Sequence, residues 1–398
     1  MNTPTSNESG KQLVLVLNAG SSSLKFAVFN SRPTLSRIFT GAIDRVGSSN
    51  ASFTLSNIET KETERAEVSA SDHIAGLEHL LECLSKRTAT RSFNAVGHRI
   101  VHGGPRHHKP ERVDDAMLAD LRSISAFDPE HLPAEIALME SLATKYPNTP
   151  QIACFDTAFH SAMPRVAKLL PIPRRYEAKG VQRYGFHGLS YEYLMTQPRM
   201  NGRVVLAHLG NGASLAAVRD GKPIDTSMAF TPAAGLPMST RSGDLDPGLV
   251  GFLAQTEQMT TEQFHSMVNW QSGLLGVSET SSDMRDLLAH EGNDRRAAEA
   301  VALFCYQARK WIGAFAAVLG GLDTLVFTAG IGENDPVIRA RICDGLEFLG
   351  IELDEKQNAA NAEQISGKGS RVAVRVIRTD EELMIARSVC RVLEGQMP

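Results

Sequence analysis

Long apolar runs are missing from this sequence. The longest apolar-rich region, residues 312–331, is broken by Gly320, Gly321 and Asp323. It reads as a helix end, a turn and a strand, which excludes a membrane span there. Cysteine is scarce as well. Cys83, Cys154, Cys305, Cys343 and Cys390 are odd in number, widely spaced and form no CxxC pair, as expected of structural thiols in a reducing compartment. No excess of one charge exists: 41 Lys and Arg stand against 45 Asp and Glu, a formal net charge of −4. A general attraction to nucleic acid or to anionic membrane is therefore not expected. There is no G-x-x-x-x-G-K-[ST] and no G-x-G-x-x-G opening a helix. Residues 1–11, MNTPTSNESGK, lack the apolar core of a secretion signal and read as a short disordered tail. A cytoplasmic protein is the simplest expectation.

What is present suits a globular chain. Apolar residues make up 42% and charged residues 22% of 398 positions, enough for a sizeable core in two domains or one large one. Short β-type runs fall at 12–18, 24–30, 36–43 and 52–56. Helical periodicity follows at 73–86, 112–126 and 132–145, with strands near 94–101 and from 151. The second half repeats this layout, with three strands across 203–227, helices around 246–256, 282–290 and 294–319, and a strand at 324–330 leading into another helix. LNAGSSSLKFAV and HLGNGASLAAV share one design of apolar strand, small-residue turn, Ser-Leu and apolar strand, about half a chain apart. This predicts a duplicated α/β domain. The boundary is expected at a strand-to-helix passage near Asp156. The last helix, from TDEEL onward, places Leu383, Ala386, Val389, Cys390 and Leu393 on one face.

Three stretches rich in glycine or serine follow apolar strands: Asn18–Ser23, Gly210–Ala213 and Gly330–Asn334. Small residues let backbone N–H groups approach an anion, and hydroxyls add donors. Each alone reads as a tight turn; three together read as a nucleotide site built from hairpin loops. Arg99 lies in an apolar strand within GHRIVHGG, and Arg241 lies in STRSGDLDPG. A strand arginine implies either a buried ion pair or a charge-neutralising role in phosphoryl transfer. Asp156, at a strand end in FDTAFH, reads as a metal-associated or base position, or else as a helix N-cap. His187, between Phe186 and Gly188, is structural or catalytic. The histidines of GHRIVHGGPRHH fit no zinc spacing. Thr379 and Glu382 have capping-box spacing, which leaves Glu381 free to face a Mg²⁺ ion. Asp283 and Arg285 open a helix, where a dipole contact and solvation are the plain reading.

Together LNAGSSSLK, GHRIVHGG, FDTAFH, YGFHG, HLGNGASL, FTPAAGLPMSTRSGD and FTAGIGEN resemble the acetate kinase family, in that family's order from about residue 12 to 394. The resemblance implies two duplicated ribonuclease-H-like domains around a central nucleotide cleft, as in the acetate and sugar kinase, heat-shock chaperone and actin superfamily. It implies domains at 12–156, with the helix 382–396 packing back on it, and at 157–381. It also implies a homodimer acting on ATP and a short carboxylate, acetate first, to give ADP and an acyl phosphate with Mg²⁺, or Mn²⁺ in its place. No nucleic-acid or membrane partner is implied.

The motif matches carry roles over residue by residue. Arg99, Asp156, His187 and Arg241 are implied as catalytic. Arg99, Val101, Phe186 and Pro232 are implied around the carboxylate. Ser21 with Ser22 and Ser23, Lys25, His208, Gly210, Asn211, Gly212, Asp283, Met284, Arg285, Gly330, Ile331, Gly332 and Asn334 are implied along the nucleotide. Asn18 and Glu381 are implied at the metal. The family's apolar APLHNP segment is replaced here by AFDPEHLP, with Glu130 where leucine is usual. This leaves acetate, propionate and butyrate unseparated. The rival readings are a kinase for another small substrate, which for a hydroxyl acceptor promotes Asp156 to a base, and an ATP-driven conformational module.

Overall fold

A computed structural model describes residues 12–88 and 93–395; the expected tail at 1–11 and residue 396 of the expected last helix lie outside the described residues. The chain divides into two compact units, one made of residues up to Ala158 and from Asp380 onward, the other of Phe159–Thr379.

In the first unit, strands β1 (Leu13–Ala19), β2 (Ser23–Asn30), β3 (Ser36–Asp44), β4 (Ala51–Asn57) and β5 (Thr63–Val68) form an antiparallel meander. β6 (Ala95–Ile100) runs parallel to β1, and β8 (Gln151–Phe155) runs parallel to β6, with the short β7 (Glu111–Arg112) at the edge. The sheet order is β5-β4-β3-β2-β1-β6-β8-β7. β1 is buried at every position, so it reads as a continuous apolar run because it is the central strand. β5, with the sequence TERAEV, is exposed at five of its six residues, and its polar composition hides it from a search for apolar alternation.

The helix Glu381–Leu393 packs on β1 and β6. Its buried residues are Met384, Ile385, Ala386, Ser388 and Val389. Of the expected face, Ala386 and Val389 are buried, whereas Leu383 and Cys390 are half-buried and Leu393 is exposed. The reason lies on the sheet. A Cβ at Gly97 would sit 2.5 Å from Ile385 Cγ2 and 2.7 Å from Val389 Cγ2. Only the bare backbone of β6 lets the helix seat this closely, and that seat selects Ile385 and Val389 as the buried stripe. Burying each stabilises by roughly 1.5–3 kcal/mol. The expected capping box does not form. Asp380 is the N-cap, its carboxylate accepting from Leu383 N at 3.0 Å. It stands one residue closer to the helix than Thr379 and carries the stronger acceptor.

The second unit holds β9 (Arg203–Leu209), β10 (Ala213–Arg219), β11 (Lys222–Thr226), β12 (Thr324–Thr328) and β13 (Ala373–Val376), in the order β11-β10-β9-β12-β13. β9, β10 and β11 are antiparallel; β12 is parallel to β9, and β13 to β12. Its layout repeats that of β3-β2-β1-β6-β8, so both units share one topology. The Asn18–Ser23 and Gly210–Ala213 stretches occupy the matching first hairpins. The helix Arg295–Leu319 flanks this sheet and ends at Gly320 in the left-handed conformation (φ 70°), so the apolar region 312–331 divides into helix, turn and strand. Among the described residues, no helix is long and apolar enough to cross a membrane.

Candidate active site

Within the first unit, β1, β6, β8 and the last helix bring four expected residues into one hydrogen-bonded run. Arg99 donates to Asp156 Oδ2 through Nε (2.9 Å) and Nη2 (2.6 Å), and through Nη1 to Asn18 Oδ1 (3.3 Å) and the Ala19 carbonyl (3.2 Å). Asn18 Nδ2 donates to Glu381 Oε2 at 3.1 Å. Asp156 is buried and its Oδ1 has no hydrogen-bond partner, so it caps no helix. Its Oδ2 engages Arg99, which realises the ion-pair reading of that arginine without using up the carboxylate.

Burial opposes the charge on Arg99, but the carboxylates of Asp156, Glu381 and Glu135 together hold its guanidinium above the ordinary range. Glu381 keeps some surface, yet its carboxyl is crowded by protein. Desolvation and the negative charge of Asp156 push it up to about 7, against the pull of Arg99 and Lys25. Lys25 faces Asn18 across the β1–β2 ladder. Ser21 and Ser22 are exposed at the hairpin tip, whose Gly20 carbonyl is held by His73 Nε2 at 2.8 Å.

Glu135 is a neighbour the sequence does not announce. In LPAEI it reads as a first-turn acid suited to the helix dipole, yet it is buried and accepts from Val101 N at 3.1–3.2 Å through both oxygens. Burial pushes its carboxyl well above the ordinary value, with Arg99 opposing. It thereby fixes the backbone of Val101, just past the end of β6.

Within the second unit, a Cβ at Gly212 would lie 3.2 Å from His187 Nε2 and 3.6 Å from Arg241 Nη1. Both nitrogens thus border the same space beside the Gly212 backbone. His187 adopts the left-handed conformation (φ 58°) at the start of the helix Gly188–Met195. It stacks on His208 with ring centroids 4.0 Å apart. Arg241 Nη1 donates to the Pro232 carbonyl at 3.2 Å, which joins those two residues. Phe186 is buried, and its carbonyl accepts from His160 Nε2 at 2.9 Å.

The glycine loops meet within this unit. A Cβ at Gly210 would lie 3.5 Å from Ala329 Cβ and 3.8 Å from Gly330 N. The third stretch is not a hairpin loop as expected, but the short helix Ala329–Asn334, entered directly from β12. Gly330 is exposed at its start, Ile331 and Asn334 follow, and Asn334 Nδ2 donates to the Gly330 carbonyl at 2.9 Å. Gly332 is buried, and its carbonyl accepts from Arg339 Nη1 at 2.9 Å. Arg339 is fully buried and also donates to the Asn358 carbonyl and the Asn358 and Asn361 side-chain oxygens at 2.6–2.8 Å. Asp283 caps the helix Met284–His290 and pairs with the exposed Arg285 at 2.6 Å, while Met284 is buried; this helix packs on Arg295–Leu319.

The oxygen donors Asn18, Glu381 and the unpartnered Asp156 Oδ1 are the kind a hard divalent cation accepts. Among the described residues, no group of three or more His, Cys, Asp or Glu has the geometry of an all-protein cage. The chemistry of this oxygen set fits a hard divalent ion such as Mg²⁺, which commonly keeps several of its water ligands.

A sequence profile of the acetokinase family matches residues 13–387. A propionate kinase of Citrobacter rodentium is 42% identical, covering 97% of this chain and 98% of the relative. An acetate kinase of Bacillus cytotoxicus is 41% identical, covering 95% and 98%. Among solved structures, an acetate kinase of Porphyromonas gingivalis is 35% identical with a TM-score of 0.85, covering 96% of this chain and all (100%) of that one. A propionate kinase of Francisella tularensis is 34% identical with a TM-score of 0.88, covering 95% and 98%. At this similarity over nearly the whole length, the fold is shared: it is the actin-like ATPase fold.

Proposed function

The chain belongs to the acetokinase family, and we propose that it transfers the γ-phosphoryl group of ATP reversibly to a short-chain carboxylate, acetate first, giving an acyl phosphate and ADP. The observation that carries this reading is the convergence of His187 Nε2 and Arg241 Nη1 on the space beside Gly212, 3.2 Å and 3.6 Å from where a Cβ would stand.

A short carboxylate is already ionised at neutral pH, so its oxygen attacks phosphorus without a general base. The new bond forms between that oxygen and the γ-phosphorus as the bond to the bridging oxygen of ADP breaks, and no proton needs to move. The difficulty is bringing one anion onto another. On the motif matches, Arg99 and Arg241 answer it by positioning the reactants and neutralising charge on the transferred group, and His187 adds a hydrogen-bond donor to that group. Asp156 acts as an orienting group: it fixes the Arg99 guanidinium through Nε and Nη2. Mg²⁺, when bound, supplies further neutralisation of phosphate charge, and Glu381 and Asn18 with Asp156 are the residues that would hold it through water. Gly210, Asn211 and Gly212 serve the phosphates, and Gly330–Asn334 with Asp283, Met284 and Arg285 serve the adenosine, on the resemblance of their motifs.

On the resemblance of their motifs, Val101, Phe186 and Pro232 are assigned to the carboxylate, and the backbone of Val101 is set by Glu135. Propionate stands as a second substrate, because one methylene is worth only about 1–3 kcal/mol in an apolar pocket and a relative as similar as the acetate kinases is a propionate kinase. We also propose a cytoplasmic homodimer without nucleic-acid or membrane partners. The test is to trap acyl phosphate with hydroxylamine while varying the carboxylate. Carboxylate-dependent hydroxamate supports the proposal. ATP hydrolysis indifferent to acetate, propionate and butyrate overturns it in favour of a conformational ATPase.

A further inference from the structure

Two histidines and two serines of the second unit are cross-tied between one hairpin and one helix. His208 and Ser214 face each other across the β9–β10 ladder. His187 starts the helix that carries Ser190 and Tyr191. The ties run crosswise: His187 Nδ1 meets Ser214 Oγ at 2.9 Å, and His208 Nδ1 meets Ser190 Oγ at 2.9 Å. Ser214 Oγ also meets the Tyr191 phenol at 2.5 Å. Ser190, Ser214 and Tyr191 are all fully buried. The stacked rings therefore present their Nδ1 atoms to buried hydroxyls, and His187 keeps Nε2 toward the space at Gly212.

The order of donors in such a chain follows from acidity. A phenol is far more acidic than an aliphatic alcohol, and a neutral imidazole nitrogen is a better acceptor than a phenol oxygen. The favoured direction is Tyr191 O–H to Ser214 Oγ, then Ser214 O–H to His187 Nδ1. An Nδ1 that accepts leaves the ring proton on Nε2. A second cation beside Arg241 is also disfavoured by like-charge repulsion.

The geometry points to Tyr191 and Ser214 as positioning residues that hold His187 as the neutral, Nε2-protonated tautomer, so that it donates to the transferred phosphoryl group without carrying charge. This rests on the phosphoryl-transfer reading for its purpose, but not for its measurement. The tautomer is a property of the resting protein.

The first arm is long-range ¹H–¹⁵N correlation on ring-labelled protein without substrate, with His187→Gln assigning the signals. A pyrrole-type Nε2 and an unprotonated Nδ1 are expected for His187, and Ser214→Ala should scramble the two. A protonated Nδ1 in the wild type overturns the inference. The second arm is kinetic. Ser214→Ala should lower kcat by about 10- to 100-fold, by analogy with the loss of the hydrogen-bond partner behind a metal-ligating histidine, with KM values little changed. Ser214→Thr, which keeps a hydroxyl, should restore most of the activity. Tyr191→Phe should cost less than Ser214→Ala, and nothing further in the Ser214→Ala background. Full additivity of the two substitutions overturns the relay. If Ser214→Ala does not fold, Ser214→Thr and Tyr191→Phe with the ring spectrum still decide. A correct tautomer in a protein without carboxylate kinase activity would fault the phosphoryl-transfer reading alone.

Discussion

Arg99 grips a single oxygen of Asp156, Oδ2, with both Nε and Nη2, and leaves Oδ1 of the same buried carboxylate with no hydrogen-bond partner. A carboxylate held this way orients the guanidinium and still has an oxygen to offer. Asp156→Ala should therefore lower kcat by about 10²-fold, the scale of a misplaced catalytic group, and weaken the response to Mg²⁺. Steady-state kinetics at fixed ATP across a magnesium titration checks both. Loss of activity with an unaltered magnesium response would confine Asp156 to holding Arg99.

Arg241 is anchored by one donor atom to the Pro232 carbonyl. Arg241→Ala should cost roughly 10³-fold or more in kcat, as for arginine donors elsewhere in phosphoryl transfer. A folded variant with near-normal turnover, judged by circular dichroism and hydroxamate assay, removes the role.

The Glu381 carboxyl is pushed up to about 7 by desolvation and by Asp156. Between its ordinary 4.5 and that value the folded chain holds a proton that the unfolded chain has released, so metal-free stability falls as pH rises through this window. The same proton competes with a cation. Apparent Mg²⁺ affinity should fall as pH drops below about 7, and Glu381→Gln should bind Mg²⁺ more weakly with that pH dependence gone. Magnesium titrations of activity at several pH values measure it.

Burial lowers His98 from 6.5 to about 4, although its Nε2 donates to Gln151 Oε1 at 2.7 Å. His160 is lowered in the same way. Below 6.5 the unfolded chain gains protons that the folded chain refuses, so stability should fall as pH drops toward 4, by about 3 kcal/mol per histidine. Urea unfolding at pH 7 and pH 5 tests this. His98→Gln should lower stability at pH 7 and flatten the slope by about one proton.

Arg339 is a buried cation whose hydrogen-bond acceptors among the described residues are neutral, and one of them is the Gly332 carbonyl below the Gly330–Asn334 turn. Arg339→Met should orphan several buried acceptors and destabilise by at least about 2 kcal/mol. It should also raise KM for ATP more than KM for the carboxylate. An equal rise in both would argue against a tie between this residue and the nucleotide.

Much of the secondary structure was legible because the chain is locally consistent. The helix at 132–145 and the three strands across 203–227 follow from periodicity and glycine turns. The half-chain echo of Ser23-Leu24 in Ser214-Leu215 marked matching hairpins in two sheets of one topology. Elements without apolar contrast were not legible: β5 is polar and exposed, and Gly188–Met195 shows no apolar stripe against a polar face.

The site divides along the same line. Residue types and spacing in the sequence determined which groups bring charge, which bring neutral polar atoms and where the chain turns: Arg99 and Arg241, then His187 and Asn18, then the glycine loops. Only the tertiary structure decided which atoms meet. It gave Asp156 Oδ2 to Arg99, put Asp380 in place of Thr379 at the last helix, buried Glu135 against Val101, and tied His187 to Ser214 and Tyr191. Apart from the Asp380 cap, which is local, these pairings join residues at least 23 positions apart in sequence. Their energies depend on burial and on distances of a few tenths of an ångström, and no local pattern of residues encodes either.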